Sequence, residues 1–291
     1  MDFSLLRQDF KARLAGPELL VAPGVFDLIS VRLAASMGFG CLYMTGFGTV
    51  ASYLGEPDAG LATYTDMVNR VGAFCAASRT PILCDGDTGY GGLLNVAHTV
   101  RGYERAGAAG IQLEDQEFPK KCGHTPGRRV IACDDMVRKI QVAAQARQDP
   151  NLQIIARTDA RTSLGLDEAL RRAEAYLKAG ADVLFIESPE SEEELRTIGR
   201  SFDAPLLCNV VEGGRTPQLA PADLKALGFA MAIYPAAGFL AMAKALEQVY
   251  GELKAGKGTL GVGEQLYSFQ DMCELMGFAE VWDFDRRHAA E

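Results

Sequence analysis

Short apolar runs alternate along the chain with longer segments of amphipathic spacing. The runs fall at residues 19–24, 41–44, 81–84, 110–113, 152–156, 182–186, 205–208 and 229–233. Each is too short for a helix and too uniformly apolar for a strand with one wet face, which is the pattern of strands buried in a parallel sheet. Helical patterns cover residues 3–16, 26–37, 65–78, 93–106, 134–147, 167–179, 192–201, 221–227 and 239–254. Thr65 or Asp66 reads as the N-cap of the third of these and Asp134 as the cap of the fifth, while Gly38, Gly107, Gly180 and Gly228 read as C-terminal stops. The second run ends in Thr45-Gly-Phe-Gly-Thr49, and a long irregular piece that includes residues 55–60 follows. Eight strand–helix units in about 250 residues is the size of a closed (β/α)8 TIM-type barrel. The competing open, doubly wound sheet loses ground because no dinucleotide glycine fingerprint follows the first strand.

The residues just after the apolar runs are Thr45, Asp85, Glu114, Arg157, Glu187, Asn209 and Tyr234. Strands that all end in polar groups would bring them to one rim on closure, and in a (β/α)8 barrel that C-terminal rim is where catalysis occurs. The remainder, residues 250–291, is too apolar for a free tail. The chain therefore reads as one barrel domain over residues 1–291 with a C-terminal helical arm that packs on the barrel or on a partner subunit.

Composition narrows the function classes. Of 291 residues 48% are apolar, and 29 basic against 38 acidic residues give a net charge of −9, a poor match to a nucleic-acid backbone. No apolar stretch reads as a membrane span and no basic leader precedes an apolar core, so the expectation is a cytoplasmic protein with neither membrane nor nucleic-acid partner. Seven cysteines include no CxxC pair, and Cys41, Cys84 and Cys208 lie in apolar runs, as buried free thiols do.

Asp58, Asp85, Asp87 and Glu114 form an oxygen-only set. Hard oxygen donors without histidine suit Mg2+, or Mn2+, held by one direct ligand with the others acting through water; the alternative is ordinary turn-forming carboxylates. Cys122, flanked by Lys120, Lys121 and His124 in a glycine-bounded loop, reads as a nucleophile or general acid whose pKa those cations lower, or as an inert thiol. Arg157 reads as a carboxylate clamp, or as a salt bridge to Glu114 or Glu187. His98 reads as helix surface or packing.

Asp85-Gly-Asp-Thr-Gly-Tyr-Gly91, Glu114-Asp-Gln116, Lys120-Lys-Cys-Gly-His124, Ala156-Arg-Thr-Asp-Ala160 and Asn209-Val-Val-Glu-Gly-Gly-Arg-Thr-Pro217 resemble the motifs of the isocitrate lyase / phosphoenolpyruvate mutase superfamily, in order, from about residue 20 to 250. The resemblance implies a barrel whose last helix is exchanged between subunits, usually in a dimer of dimers (a homotetramer), with Mg2+ and a 2-oxo or 2-hydroxy di- or tricarboxylate as substrate. It implies Asp85 as direct metal ligand and Asp58, Asp87 and Glu114 on the metal's waters. It implies Thr45, Gly46 and Phe47 as the carboxylate-binding loop, Tyr43 near an oxyanion, and Arg157, Glu187 and Asn209 as a substrate clamp. Cys122 becomes the general acid, with His124 beside it and Gly123 and Glu212 in the substrate-binding set. The implied chemistry is retro-Claisen cleavage of a 2-hydroxy acid.

The length lacks the insertions of true isocitrate lyases, which points to the short dimethylmalate or methylisocitrate lyase type. Asn209-Val-Val-Glu-Gly-Gly214 departs from the Asn-Ile-Thr-Glu-Phe-Gly pattern of methylisocitrate lyases and favours a smaller malate-type acid. Pro235 matches lyases, whereas oxaloacetate hydrolases of the family tend to carry Ser there. Met44-Thr-Gly-Phe-Gly-Thr49 and Ala232-Ile-Tyr-Pro235 also look like carboxyphosphonoenolpyruvate phosphonomutase. A non-catalytic binding barrel is the remaining alternative.

Overall fold

In a computed structural model, residues 2–123, 125 and 127–289 are described. The chain opens with helix α1 (Phe3–Leu14). There follow β1 (Leu20–Val25), α2 (Leu28–Ser36), β2 (Leu42–Met44), α3 (Gly46–Leu54), α4 (Tyr64–Ala77), β3 (Ile82–Asp85), α5 (Leu93–Ala106) and β4 (Gly110–Glu114). Then come α6 (Cys133–Ala146), β5 (Gln153–Thr158), α7 (Ala160–Leu164), α8 (Leu166–Lys178), β6 (Val183–Ile186), α9 (Glu192–Ser201), β7 (Leu206–Asn209), α10 (Pro221–Ala226) and β8 (Met231–Tyr234). The chain ends in α11 (Ala237–Lys254), α12 (Phe269–Leu275) and α13 (Phe278–His288).

The eight strands form one closed parallel barrel in sequence order, the last pairing the first with Leu20 opposite Met231 and Pro23 opposite Tyr234. All eight predicted strands are present, and nearly every residue in them is buried, as a sheet covered on both faces requires. Inside the barrel Ala22, Leu83, Ile155, Phe185, Leu207 and Met231 pack with Phe10 and Leu14 of α1. Helix α1 is fixed across the bottom of the barrel: Arg7 donates to the backbone carbonyl of Ala108 at 2.9 Å and pairs with Asp149 at 3.1 Å, both just before strands.

The structure corrects three local expectations. Residues 46–54 are helix α3, not a strand end followed by irregular chain; Gly55 stops it with φ 67°, a left-handed conformation open to glycine. The cap of α4 is Thr63, in a reciprocal capping box with Asp66 at the third helical position, so the predicted cap, Thr65 or Asp66, was two or three residues late. Helix α6 starts after Ala132, and Asp134 lies in its first turn, where a carboxylate favours the helix dipole without capping it. A seventh helix, α7, also went unpredicted; five residues leave no periodicity to read.

The C-terminal arm lies partly on the barrel wall. Helix α12 packs against α2, where Arg32 donates to the Leu275 carbonyl at 3.2 Å, while Phe269, Phe278, Val281, Trp282 and Phe284 keep much of their surface in water. Among the described residues no helix is long and apolar enough to cross a membrane.

Candidate active site

The strand ends do converge. Tyr43, Thr45, Asp85, Glu114, Arg157, Glu187 and Asn209 line one cavity of about 210 Å3 at the C-terminal rim, together with Gly46, Phe47, Asp58, Cys122 and Gly123. Three expected members are not among its lining residues: Glu212, Tyr234 and Asp87, the last of which reaches it only through its ion pair with Lys120. Glu212 is exposed and is not among the cavity's lining residues, where Val211 takes its place; Tyr234 also stays out, and Pro235 and Ala236 line the cavity beyond it. His124, expected in the catalytic set, lies outside the described residues. His98 packs against Tyr64 with ring centres 4.5 Å apart and the rings tilted, and does not line the cavity. Cys41, Cys84 and Cys208 are buried, and burial pushes the Cys41 and Cys208 thiols up to about 12, so they are inert packing.

Each side chain is held by the strand that delivers it. Asp85 and Glu114 end β3 and β4, and Glu114 stands opposite Arg157 in the β4–β5 register. Asp85 Oδ1 accepts from the Asp87 backbone N–H at 3.1 Å and from Gln112 at 3.2 Å. Gln112 in turn accepts the Tyr43 hydroxyl at 3.0 Å, so one amide ties Tyr43 to Asp85. Asp87 has φ 47°, a left-handed turn that returns its carboxylate toward the cavity; Asp is among the few side chains that tolerate it. Gly46 has no room for a side chain: a Cβ there would collide with the Asp85 carboxylate.

Among the described residues the charges of the site do not balance. Asp58, Asp85, Asp87, Glu114, Asp159 and Glu187 crowd around Lys120, Arg157 and Arg128. Lys120 is the local counter-ion of two of them, with its ammonium 2.5 Å from Asp58 and 2.6 Å from Asp87. Lys120 is thus engaged with two carboxylates as well as being a chain neighbour of Cys122. Arg157 contacts Asp159 at 2.9 Å and Glu114 and Glu187 at 3.3 Å each, so the salt-bridge alternative holds for both predicted partners as well as a third. Arg128 meets Asp159 at 2.6 Å from the other side.

Burial pushes the Asp85 carboxyl up and Asp87 to about 7, with Lys120 opposing and neighbouring carboxylates reinforcing. Glu114 is driven well above its usual range, first by burial and against the pull of Arg157. Burial alone would discharge Lys120, but Asp87, Asp58 and Asp85 outweigh it and keep the ammonium charged. Burial likewise holds the Tyr43 hydroxyl protonated.

This is a setting that fits a hard dication. The donors are all oxygens, carboxylates outnumber the buried cations, and Glu114 Oε1 is buried without a hydrogen-bond partner among the described residues. Among those residues no trio of His, Cys, Asp or Glu is arranged to hold an ion unaided, and Asp58 and Asp87 are paired with Lys120. Mg2+ accepts such a site because it retains several waters.

The loop after β4 closes over these groups. Gln116 exchanges two hydrogen bonds with the Lys121 backbone, at 2.9 and 3.0 Å, and Thr125 donates to the Cys122 carbonyl at 2.8 Å. Ser188 donates to the Gly123 carbonyl at 3.2 Å, and a Cβ at Gly123 would strike Arg157 and Glu187. Cys122 is thereby delivered to the cavity, partly exposed.

Sequence reading missed Gln112, Asp159 and Arg128. Gln112 was hidden in an apolar run, where a fully buried amide is itself a signal that something polar must satisfy it. Asp159 was visible within Ala156-Arg-Thr-Asp-Ala160 but its partner Arg128 could only be found in space.

The geometry accords with the comparisons. The phosphoenolpyruvate phosphomutase family matches residues 10–254. The chain is 46% identical over 276 residues to 2,3-dimethylmalate lyase of Eubacterium barkeri, covering 95% of this chain and 96% of that one. It is 40% identical over 272 residues to 2-methylisocitrate lyase of Aeropyrum pernix, covering 94% and 86%. A solved structure of oxaloacetate acetylhydrolase in complex with the inhibitor 3,3-difluorooxalacetate superimposes with TM-score 0.93 at 34% identity, covering 99% and 98% of the two chains. The chain belongs to the phosphoenolpyruvate phosphomutase family, within the isocitrate lyase / phosphoenolpyruvate mutase superfamily.

Proposed function

We propose that this enzyme is a carbon–carbon lyase that cleaves a substituted malate, of the 2,3-dimethylmalate type, to pyruvate and a simple carboxylate. The observation that carries the reading is one cavity holding a carboxylate cluster fit for Mg2+, the Arg157–Glu187–Asn209 group and the Cys122 thiol together. It is supported by a relative of nearly equal length that bears this activity in its name.

The first turn of α3 offers Gly46 and Phe47 backbone N–H groups to a substrate carboxylate, because the opening N–H groups of a helix have no partner within it. Asp85 would hold Mg2+ directly and Asp58, Asp87 and Glu114 would hold its waters; bound there, the ion supplies Lewis-acid stabilisation of negative charge developing on substrate oxygens. Loss of the 2-hydroxyl proton lets the C2–C3 bond break. Its electron pair passes to C3 and the adjoining carboxylate, and C2 becomes the ketone of pyruvate. Cys122 gives its proton to C3, which for 2,3-dimethylmalate completes propionate. Arg157, fixed by three carboxylates and set 5.2 Å from the Phe185 ring centre, stays charged and faces the developing oxyanions, and Tyr43 keeps its hydroxyl proton throughout. The glycine at 123 lets the loop sit down on Arg157 and Glu187, which excludes water from the carbanionic product.

The exposed apolar side chains of α12 and α13 support self-association through this arm, as a homo-oligomer. The test of function is pyruvate release with Mg2+ from 2,3-dimethylmalate, 2-methylisocitrate, other 2-alkylmalates and oxaloacetate, with EDTA and Cys122→Ser as controls. Release from a malate-type acid that is lost in both controls is expected. Silence across the panel with oxalate still binding through Mg2+ would reject the lyase and favour the phosphonomutase, whose resemblance in the segments at 44–49 and 232–235 includes the cavity residues Thr45, Phe47 and Pro235.

A further inference from the structure

The cavity has two unlike halves. On one side stand its charged groups, delivered by β3 to β7 and by the loop at 120–125. On the other, Val211, Ile233, Pro235, Ala236, Phe239 and Leu240 present only carbon side chains. The second half is firmly built around Phe239, whose ring meets Phe47 with centres 5.1 Å apart and Phe26 at 6.2 Å, both edge-on. Gly48 lies beneath, where a Cβ would run into Phe26 and Phe239. Among the described lining residues the only cations are Lys120, Lys121 and Arg157, all on the charged half. Lys120 is held by Asp58 and Asp87, Arg157 by three carboxylates, and the Lys121 ammonium donates to the Gly127 carbonyl at 3.3 Å.

We infer that the wall of Phe47, Phe239 and Leu240 determines specificity, accepting an alkyl group at C3 of the substrate and rejecting a carboxymethyl group there. The inference rests on the lyase reading for the orientation of the substrate. One carboxylate of a malate skeleton is met by the Gly46 and Phe47 backbone N–H groups and the other, with the hydroxyl, by the charged half, which leaves the C3 substituent to the carbon side chains of the wall. 2,3-Dimethylmalate and 2-methylisocitrate differ only at this point: CH3 in one, CH2COO− in the other. A methyl group gains by leaving water for such a wall, whereas an ionised carboxylate that meets no cation among the described wall residues is strongly disfavoured. The wall therefore selects dicarboxylates over tricarboxylates.

The experiment compares kcat/KM for the two acids in the wild type, Leu240→Arg and Leu240→Ala. Leu240 is 44% exposed on α11, so a longer side chain can be accommodated there. The wild type should prefer 2,3-dimethylmalate by about 100-fold or more, since a pocket lacking a polar partner rejects the group that needs one. Leu240→Arg should narrow that ratio at least about tenfold by supplying the missing cation, while Leu240→Ala should weaken dimethylmalate turnover without admitting methylisocitrate. A wild type indifferent between the acids, or a ratio unmoved in Leu240→Arg, overturns the assignment. If neither acid yields pyruvate, the lyase reading fails, and calorimetry with Mg2+ decides the wall separately. Tighter binding of 2-methylsuccinate than of propane-1,2,3-tricarboxylate upholds it, and equal or reversed affinities overturn it.

Discussion

The two ends of the barrel are built from opposite chemistry. At the bottom Phe10 and Leu14 of α1 plug an interior of Leu20, Ala22, Leu83 and Met231, all buried and uncharged. At the top, six carboxylates crowd around three buried cations among the described residues, a concentration of like charge that no folding argument would choose. Burial is stabilising at the first end and unfavourable at the second, so stability resides below and chemistry above. The top is tolerated because the strands that deliver its charges are anchored by the apolar layers beneath them.

Breaking the upper end should affect activity without unfolding the protein. Asp85→Ala is expected to cost about 10^3-fold or more in kcat/KM, comparable to losing a principal electrostatic group, while the thermal midpoint of the metal-free protein holds or rises as like-charge crowding is relieved. A large fall in that midpoint would mean that Asp85 holds the fold. Breaking the lower end should do the reverse: Phe10→Ala should destabilise by about 3–5 kcal/mol in denaturant titration, the cost of an unfilled aromatic cavity, with KM of the folded fraction unchanged.

Smaller changes sharpen the contrast. Tyr43→Phe removes the hydroxyl that Gln112 accepts and should lower kcat by about 100-fold, the scale of one hydrogen-bond donor to a developing oxyanion, with little change in Mg2+ affinity. The mildest effect is one of pH. Asp87 carries a proton up to about 7, well above its unfolded value, so its protonation favours the folded state at low pH and that contribution is lost as pH rises through 7. Mg2+ needs the carboxylates ionised, so the rise in melting temperature on adding it should be greater at pH 8 than at pH 6. An equal rise at both would show that Asp87 does not sense the ion.

Much of this was written in the linear pattern. Strand positions were legible because a buried parallel strand cannot afford polar residues until its end, which is also why Asp85, Glu114, Arg157 and Asn209 announced themselves. What the pattern could not carry was pairing across space. Lys120 looked like a neighbour of Cys122 and is also the counter-ion of Asp58 and Asp87, 62 and 33 positions earlier along the chain. Helix α3 was overlooked because glycines at 46 and 48 argue against a helix, yet Gly46 is there to make room for Asp85 and Gly48 for the paired phenylalanines. Local propensity gave way to contacts that exist only after closure.

The seam where β1 meets β8 has a consequence for the order in which the molecule is made. Gly24, near the end of β1, lies so close to Pro235 that a Cβ would overlap its backbone, and Leu20 pairs with Met231. The first strand thus waits for some two hundred residues of later chain before its outer edge is covered. During synthesis on the ribosome the cavity cannot exist in part: its carbon wall and its charged half come together only in the last step of assembly, when the eighth strand arrives.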